Sequence, residues 1–361
     1  MERRASRGSM DEGARTEGAG RSGFDSVQEL EHGLTQPQPA LVDAIRQLDG
    51  DILVLGAGGK MGPTLTALAQ RAVEEAQSGK RVVAVSRFSN PAAAEALADL
   101  GVETIPCDLM DEKALQSLPE VRNVIYMVGT KFGATGNEAR TWAINAYLPG
   151  RVALKFKQSR IVVFSSGNVY PFSPVSAGGS RESAAPGPVG EYAQSVLGRE
   201  RVFEHFCRQF EIPCVFFRLN YAIEMRYGVL LDIARKVWLG QEIDVTMGHV
   251  NVLWQGDANA YALRSLLLAD VPPRVLNVTG PETISVRSVA VQFGELLDRR
   301  PSFVGQEAPH ALLSNAQAAF QLLGYPSVSL GQMIEWVADW VIRGGEMLDK
   351  PTKFQVRNGK F

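Results

Sequence analysis

The chain has 361 residues, of which 45% are hydrophobic and 21% charged, and a formal net charge of −2. That length exceeds the usual single core, so one large domain with a smaller appendage is expected. The near-neutral charge offers no basic field for nucleic acid, and no run approaches the roughly 18 apolar residues of a membrane span.

Residues 1–24 are rich in Gly, Arg, Glu and Ser and nearly devoid of apolar groups. An internal start at Met10 or a disordered tail is expected, and the segment does not read as a secretory signal. A helical extension follows over 25–50: Ser26 to Glu29 has capping-box spacing, and Leu41, Val42, Ile45 and Leu48 recur at helical spacing after Pro39. Ile52–Leu55 is a short apolar run of the kind buried in parallel sheets.

Strands and helices then alternate. Strands are expected at 81–86, 102–107, 121–128, 161–165 and 214–219, with helices at 63–77, 91–100, 137–158 and 191–209 between them. This alternation argues for a Rossmann-like α/β fold, a doubly wound parallel sheet covered on both faces, over 51–220. The segment 173–190 is a long Pro/Gly/Ser loop.

From 221 to 345 the pattern loosens into a smaller mixed α/β cap, expected to shape a substrate pocket and to return some elements to the sheet. Helices are expected at 228–239, 257–268, 286–297 and 310–323, with strands near 244–246, 250–254 and 275–278. A last amphipathic helix carries Met333, Ile334, Trp336, Val337 and Trp340, whose tryptophans read as core with Trp254. Residues 346–361 form a C-terminal tail.

Cys107, Cys207 and Cys214 have no pairable spacing and read as reduced thiols of a cytoplasmic protein. His32, His205, His249 and His310 are scattered, so no metal site is expected.

The first strong strand runs into Gly56-Ala-Gly58-Gly59-Lys60-Met61-Gly62 and then a helix. Gly56 permits a tight turn, Gly59 a close backbone approach to a pyrophosphate, and Gly62 close helix–strand packing. The helix N-terminus offers free N–H groups to phosphate oxygens. Residues 56 and 58–62 are therefore candidate dinucleotide contacts. A carboxylate ending the second strand would bind the adenosine ribose of NAD, but Ser86-Arg87 stands there and suits a 2′-phosphate, favouring NADP over NAD. Asp108 and Leu109, ending the third strand, are placed to line the adenine pocket.

These features together resemble the extended short-chain dehydrogenase/reductase family, the NAD-dependent epimerase/dehydratase type, from about residue 50 to 343. Phe164-Ser-Ser166-Gly-Asn168-Val-Tyr170 is similar to the family's Ser-Ser-x-x-Val-Tyr-Gly, and Tyr192-Ala-Gln-Ser195 to its Tyr-x-x-Ser-Lys. The resemblance makes Ser166 and Tyr192 the catalytic candidates, Ser166 orienting the reacting oxygen and Tyr192 exchanging its proton. It adds Val128, Gly129, Lys131 and Asn145 as cofactor contacts, and Asn168, Asn220 and Arg226 as substrate contacts. It also implies a homodimer through helices 137–158 and 191–209.

The family's lysine is replaced by Val196. A tyrosine of ordinary pKa, about 10, is a poor base at neutral pH, and losing a three-unit depression forfeits about 4 kcal/mol. Either Lys131 or Arg199 supplies the cation, or proton transfer runs differently, or the fold only binds. Arg199 sits seven residues after Tyr192, although an exposed arginine is the plainer reading. The resulting expectation is an NAD(P)-dependent oxidoreductase or epimerase acting on a hydroxyl or keto group of a sugar or sugar-nucleotide-like small molecule. A dinucleotide-binding protein with weak or no catalysis is the alternative, and a reductase of small non-sugar carbonyls a third reading.

Overall fold

The structure, a computed structural model, describes residues 23–131, 135–350 and 352–360. Most of the expected tail, residues 1–22, lies outside them.

Seven short segments become strands of one sheet: β1 (Ile52–Leu55), β2 (Val82–Ser86), β3 (Glu103–Pro106), β4 (Asn123–Tyr126), β5 (Arg160–Ser166), β6 (Cys214–Leu219) and β7 (Arg274–Val278). Their order is β3-β2-β1-β4-β5-β6-β7, with every neighbouring pair parallel. Strand order reverses between β1 and β4, where the chain leaves in opposite directions and opens a crevice beyond the carboxyl ends of the strands.

Side chains alternate across a strand, so this sheet builds two cores. Ile52 and Val54 face the helices Pro39–Gln47, Gly62–Glu75 and Gln255–Arg264. Leu53 and Leu55 face Leu148–Lys155 and Gly190–Phe210. All four strand residues are fully buried, and such a side chain contributes about 1.5–3 kcal/mol. This is the expected α/β sheet covered on both faces.

A third core holds the later segment together. It joins the helices Val27–Leu34, Val229–Trp238, Val286–Leu297 and Leu330–Ile342, with Trp254 and Trp340 buried among them. The helix Gln255–Arg264 instead returns to the sheet side, where Gln255 and Asn259 each donate to Thr64 Oγ1 at 3.1 and 3.0 Å.

Two expected helices are corrected. The helix expected over 137–158 is an α-helix at Glu138–Trp142, a π-helical turn at Ala143–Tyr147 and a further α-helix at Leu148–Lys155. Pro149 has no N–H to return to the Asn145 carbonyl one turn earlier. That oxygen accepts from Arg199 Nε at 3.3 Å instead. The helix expected over 310–323 exists only at Gln317–Leu323. Ala311, Leu312 and Leu313 are all buried, and three consecutive inward side chains do not fit one helical stripe. His310–Ala311 pairs instead with Ser173–Pro174.

That pairing also fastens the long loop. Ser180 donates its N–H to Leu313 O at 2.9 Å, and Glu182 accepts from the Asn277 N–H at 3.0 Å. The Pro/Gly/Ser composition marks a loop held by backbone hydrogen bonds.

Candidate active site

A cleft of about 730 Å³ opens at the switch point, lined by Gly56, Gly58, Gly59, Ser86, Arg87, Asp108, Leu109, Val128 and Gly129 among others. A smaller cavity of about 290 Å³ continues from it, sharing Gly56, Gly59 and Met127. Into this inner cavity come Lys60, Met61, Lys131, Ser166, Asn168, Tyr192 and Asn220. The candidates thus divide into an outer set around the glycine-rich turn and an inner set around two hydroxyls.

The turn has little room for anything but glycine. Gly56 has φ +95°, where L side chains are strained, and a Cβ there would lie 3.1 Å from the Met127 and Val128 backbone. At Gly62 a Cβ would come within 2.3 Å of Ala57 O. The helix Gly62–Glu75 that follows has no side-chain cap and no acidic residue in its first turn. Its N–H groups and positive dipole end therefore remain available to an anion. The groove fits the diphosphate of a dinucleotide.

Ser166 ends β5 and is buried; its Oγ accepts from Asn168 N at 3.2 Å and Asn168 Nδ2 at 2.9 Å. Tyr192 stands in the first turn of the helix Gly190–Phe210, half-buried, and its phenol hydrogen-bonds the Ser166 side chain. Burial pushes the phenol pKa up, while the charge of Arg199 and the Ser166 hydrogen bond work against that rise.

Arg199 is buried, which corrects the plainer expectation of an exposed arginine. Its guanidinium donates to Phe164 O at 2.6 Å, Asn145 Oδ1 at 3.0 Å and Asn145 O at 3.3 Å. All these acceptors are neutral, so its full positive charge stands beside Tyr192. Val196, by contrast, is buried against Val169 and Tyr170 and does not line the inner cavity. A cation does reach the tyrosine's neighbourhood, two helical turns on.

Gly62, Asn145 and Arg226 line neither cavity. Asn145 is fully buried and its amide is committed: Nδ2 donates to Thr130 O and Ser195 Oγ, and Oδ1 accepts from Thr130 N and Arg199. It ties the segment after β4 to the tyrosine helix. Arg226 pairs with Glu224 at 3.2 Å and Glu31 at 2.9 Å, so its charge is already met outside the inner cavity.

Among the lining residues that sequence reasoning did not single out are Tyr221, Tyr227 and Thr352. Tyr227 follows the arginine that drew attention, and Thr352 sits in a segment read as a tail. That tail is anchored: Thr352 N and Oγ1 donate to Asp232 Oδ2 at 2.9 and 2.6 Å, and Phe354 is buried. Missed as well was a buried network behind Ser166. Arg218 binds Glu200 through two hydrogen bonds of 2.9 and 2.6 Å, Ser165 Oγ donates to Glu200 at 2.5 Å, and Arg218 donates to Tyr170 Oη at 2.6 Å.

Comparison with curated protein sequences finds no match. Among solved structures the chain is similar to the UDP-glucuronic acid 4-epimerase from Bacillus cereus, solved with UDP-glucuronic acid and NAD: 18% identity, 81% of this chain and 99% of that chain, TM-score 0.65. It is also similar to the UDP-glucose 4-epimerase from the hyperthermophilic eubacterium Thermotoga maritima, solved with UDP-glucose: 16% identity, 81% and 99% coverage, TM-score 0.62. At these identities the likeness is one of fold. The family model described as "NAD dependent epimerase/dehydratase family" matches residues 52–226, from β1 through β6 and most of the inner cavity's lining. Over that region, just under half of the chain, the sequence is similar to the NAD dependent epimerase/dehydratase family.

Proposed function

We propose that this chain is an NAD(P)-dependent oxidoreductase or epimerase that acts on a hydroxyl or keto group of a sugar or sugar-nucleotide-like substrate. The observation that carries the reading is the hydrogen-bonded Ser166–Tyr192 pair in a cavity continuous with the glycine-rich groove. The substrate would lie in that cavity, between the dinucleotide-binding region 51–220 and the cap 221–345.

The turn Gly56–Gly62 and the helix start after it would hold the diphosphate, with Ser86 and Arg87 at the adenosine end. When bound, the dinucleotide supplies a nicotinamide that takes or returns a hydride. The protein's own part is proton handling and placement. Ser166 donates to or accepts from the reacting oxygen, Tyr192 gives or takes its proton, and Asn168 fixes the Ser166 hydroxyl through its amide. Arg199 offsets part of the burial cost of the phenolate.

NADP is the preferred form on this reading, because no carboxylate ends β2 and Arg87 lines the cleft. Arg87→Ala should weaken NADPH binding about ten-fold or more, the worth of a charge-assisted hydrogen bond, with little effect on NADH. Fluorescence titration with both nucleotides checks this, and equal losses for the two would remove the preference. A homodimer through the helices flanking the site agrees with the exposure of Tyr147 and Leu154 beside it.

Dinucleotide-linked oxidation of a sugar and sugar-nucleotide panel tests the function. Tight dinucleotide binding with no turnover on any member would favour a second reading, a binding protein with weak or no catalysis. The elevated Tyr192 pKa and the apolar setting of Val196 are the observations on that side.

A further inference from the structure

The segment Thr352–Lys360, read from sequence as a tail, bridges two sides of the inner cavity. On the cap side Thr352 lines the cavity and donates twice to Asp232 Oδ2, while Phe354 is buried in the cap core. Phe354 N donates to Thr352 Oγ1 at 3.3 Å, which makes the two residues one anchored unit. Midway, Arg357 Nη1 donates to His310 O at 2.9 Å, and its guanidinium lies 4.4 Å from the Phe172 ring centroid. On the far side Gly359 meets Val189 and Gly190, where the helix carrying Tyr192 begins. A Cβ on Gly359 would lie 2.3 Å from Val189 O, and one on Gly190 2.5 Å from Gly359 O. Their φ values are +69° and +84°, so two glycine backbones touch where no side chain fits.

The two fastenings are unequal. Thr352 and Phe354 are buried, whereas Gln355, Val356 and Arg357 are half-buried and Asn358 and Lys360 exposed. Lys360 N is bonded to Asn358, within the segment itself. Stretches with few buried apolar contacts open locally at low free energy. Thr352 lines the inner cavity, but no residue of the segment lines the outer cleft. Resting on the placement of substrate in the inner cavity given above, we propose that Thr352–Lys360 is a strap that gates that cavity. It stays fixed at Thr352 and Phe354, lifts from Val189–Gly190 to admit substrate, and closes again beside Tyr192. The dinucleotide enters through the outer cleft, independently of the strap.

Accessibility of the cavity tests this without knowledge of the substrate. Ser166→Cys places a thiol in the cavity of the full chain, and its reaction with an aromatic disulfide reagent is timed in the presence of saturating NADH, which covers the approach from the outer cleft. The chain without this thiol supplies the background from Cys107, Cys207 and Cys214. Adding Gly359→Ala drives a Cβ against Val189 O and should speed the reaction about ten-fold or more, the scale of strain for a side chain in left-handed backbone. NADH affinity should stay unchanged. Equal rates with and without Gly359→Ala would overturn the proposal, as would a parallel loss of NADH affinity, which ties the segment to the dinucleotide. Should Gly359→Ala not fold, Arg357→Ala, which releases the hold on His310 O and Phe172, gives the same comparison. Hydrogen exchange of the unaltered chain is a second readout: amides of 355–360 should exchange about ten-fold or more faster than those of Thr352 and Phe354. Equal protection along the segment would contradict an anchored cap end and a lifting far end. If NADH does not bind, its fluorescence titration shows that the dinucleotide reading fails, and hydrogen exchange still decides the strap.

Discussion

Tyr192→Phe is expected to reduce turnover by about 10²–10⁴-fold, the usual contribution of a positioned proton-transfer group, while leaving dinucleotide affinity intact. The phenol hydrogen-bonds Ser166, and its removal leaves the groove of Gly56–Gly62 untouched. The pH profile carries the same claim. Oxidation needs the phenolate as base, and burial raises the phenol pKa despite Arg199 and Ser166. At neutral pH almost all of the enzyme is then protonated at this position, and the oxidation rate should climb about ten-fold per pH unit on the limb below that pKa. Reduction uses the protonated phenol and should be flat across neutral pH. Arg199→Met takes away a buried charge that favours the phenolate, so the rising limb should move to still higher pH. Rates across pH 6–10 for the wild type and both variants check this. A Tyr192→Phe enzyme with unchanged turnover, or an oxidation profile flat through pH 9, would remove Tyr192 from the mechanism.

The largest stability effect is expected at Glu200. Its carboxylate accepts from Arg218 twice and from Ser165 once, and both charged side chains are nearly inaccessible, at 5% and 1% exposure. Such a pair is not in itself strong evidence of stability, because burying two charges costs several kcal/mol. Removing one partner is another matter. Glu200→Ala strands the Arg218 guanidinium and should cost about 3–5 kcal/mol. Glu200→Gln keeps the shape and some of the hydrogen bonds and should cost less. Because Ser165 precedes Ser166 on β5, the damage should extend to the site. Denaturant unfolding of the two variants measures the difference, and an Ala variant within about 1 kcal/mol of wild type would contradict this account of the network.

How much of this was legible beforehand depended on the kind of constraint. The central sheet strands were readable as apolar runs because both sheet faces are covered there, and the cleft was readable because a glycine turn between strand and helix has few uses. Ser166 and Tyr192 were found through the family resemblance of their motifs, and the structure brings their hydroxyls together. What failed was whatever depends on contacts remote in sequence. Arg199 looked exposed among Gly198, Glu200 and Arg201, and nothing local said that Pro149 would free a carbonyl for it. The stretch 310–316 carried helix-forming residues, but burial against Met247 and pairing with Ser173–Pro174 drew it into extended form. Arg226 had the right chemistry for a substrate anion, but Glu31 and Glu224 had already claimed it. Lys60 was read as part of the phosphate cradle, and only the folded chain shows its side chain turned toward Tyr227.

The claim beneath all of these is that the groove of Gly56–Gly62 leads a dinucleotide's nicotinamide to the Ser166–Tyr192 pair. A crystal structure of the protein with NADPH tests it most directly. The account predicts the diphosphate against the start of the helix Gly62–Glu75 and the nicotinamide ring facing the two hydroxyls. A dinucleotide bound elsewhere, or a nicotinamide ring turned away from Tyr192, would contradict it.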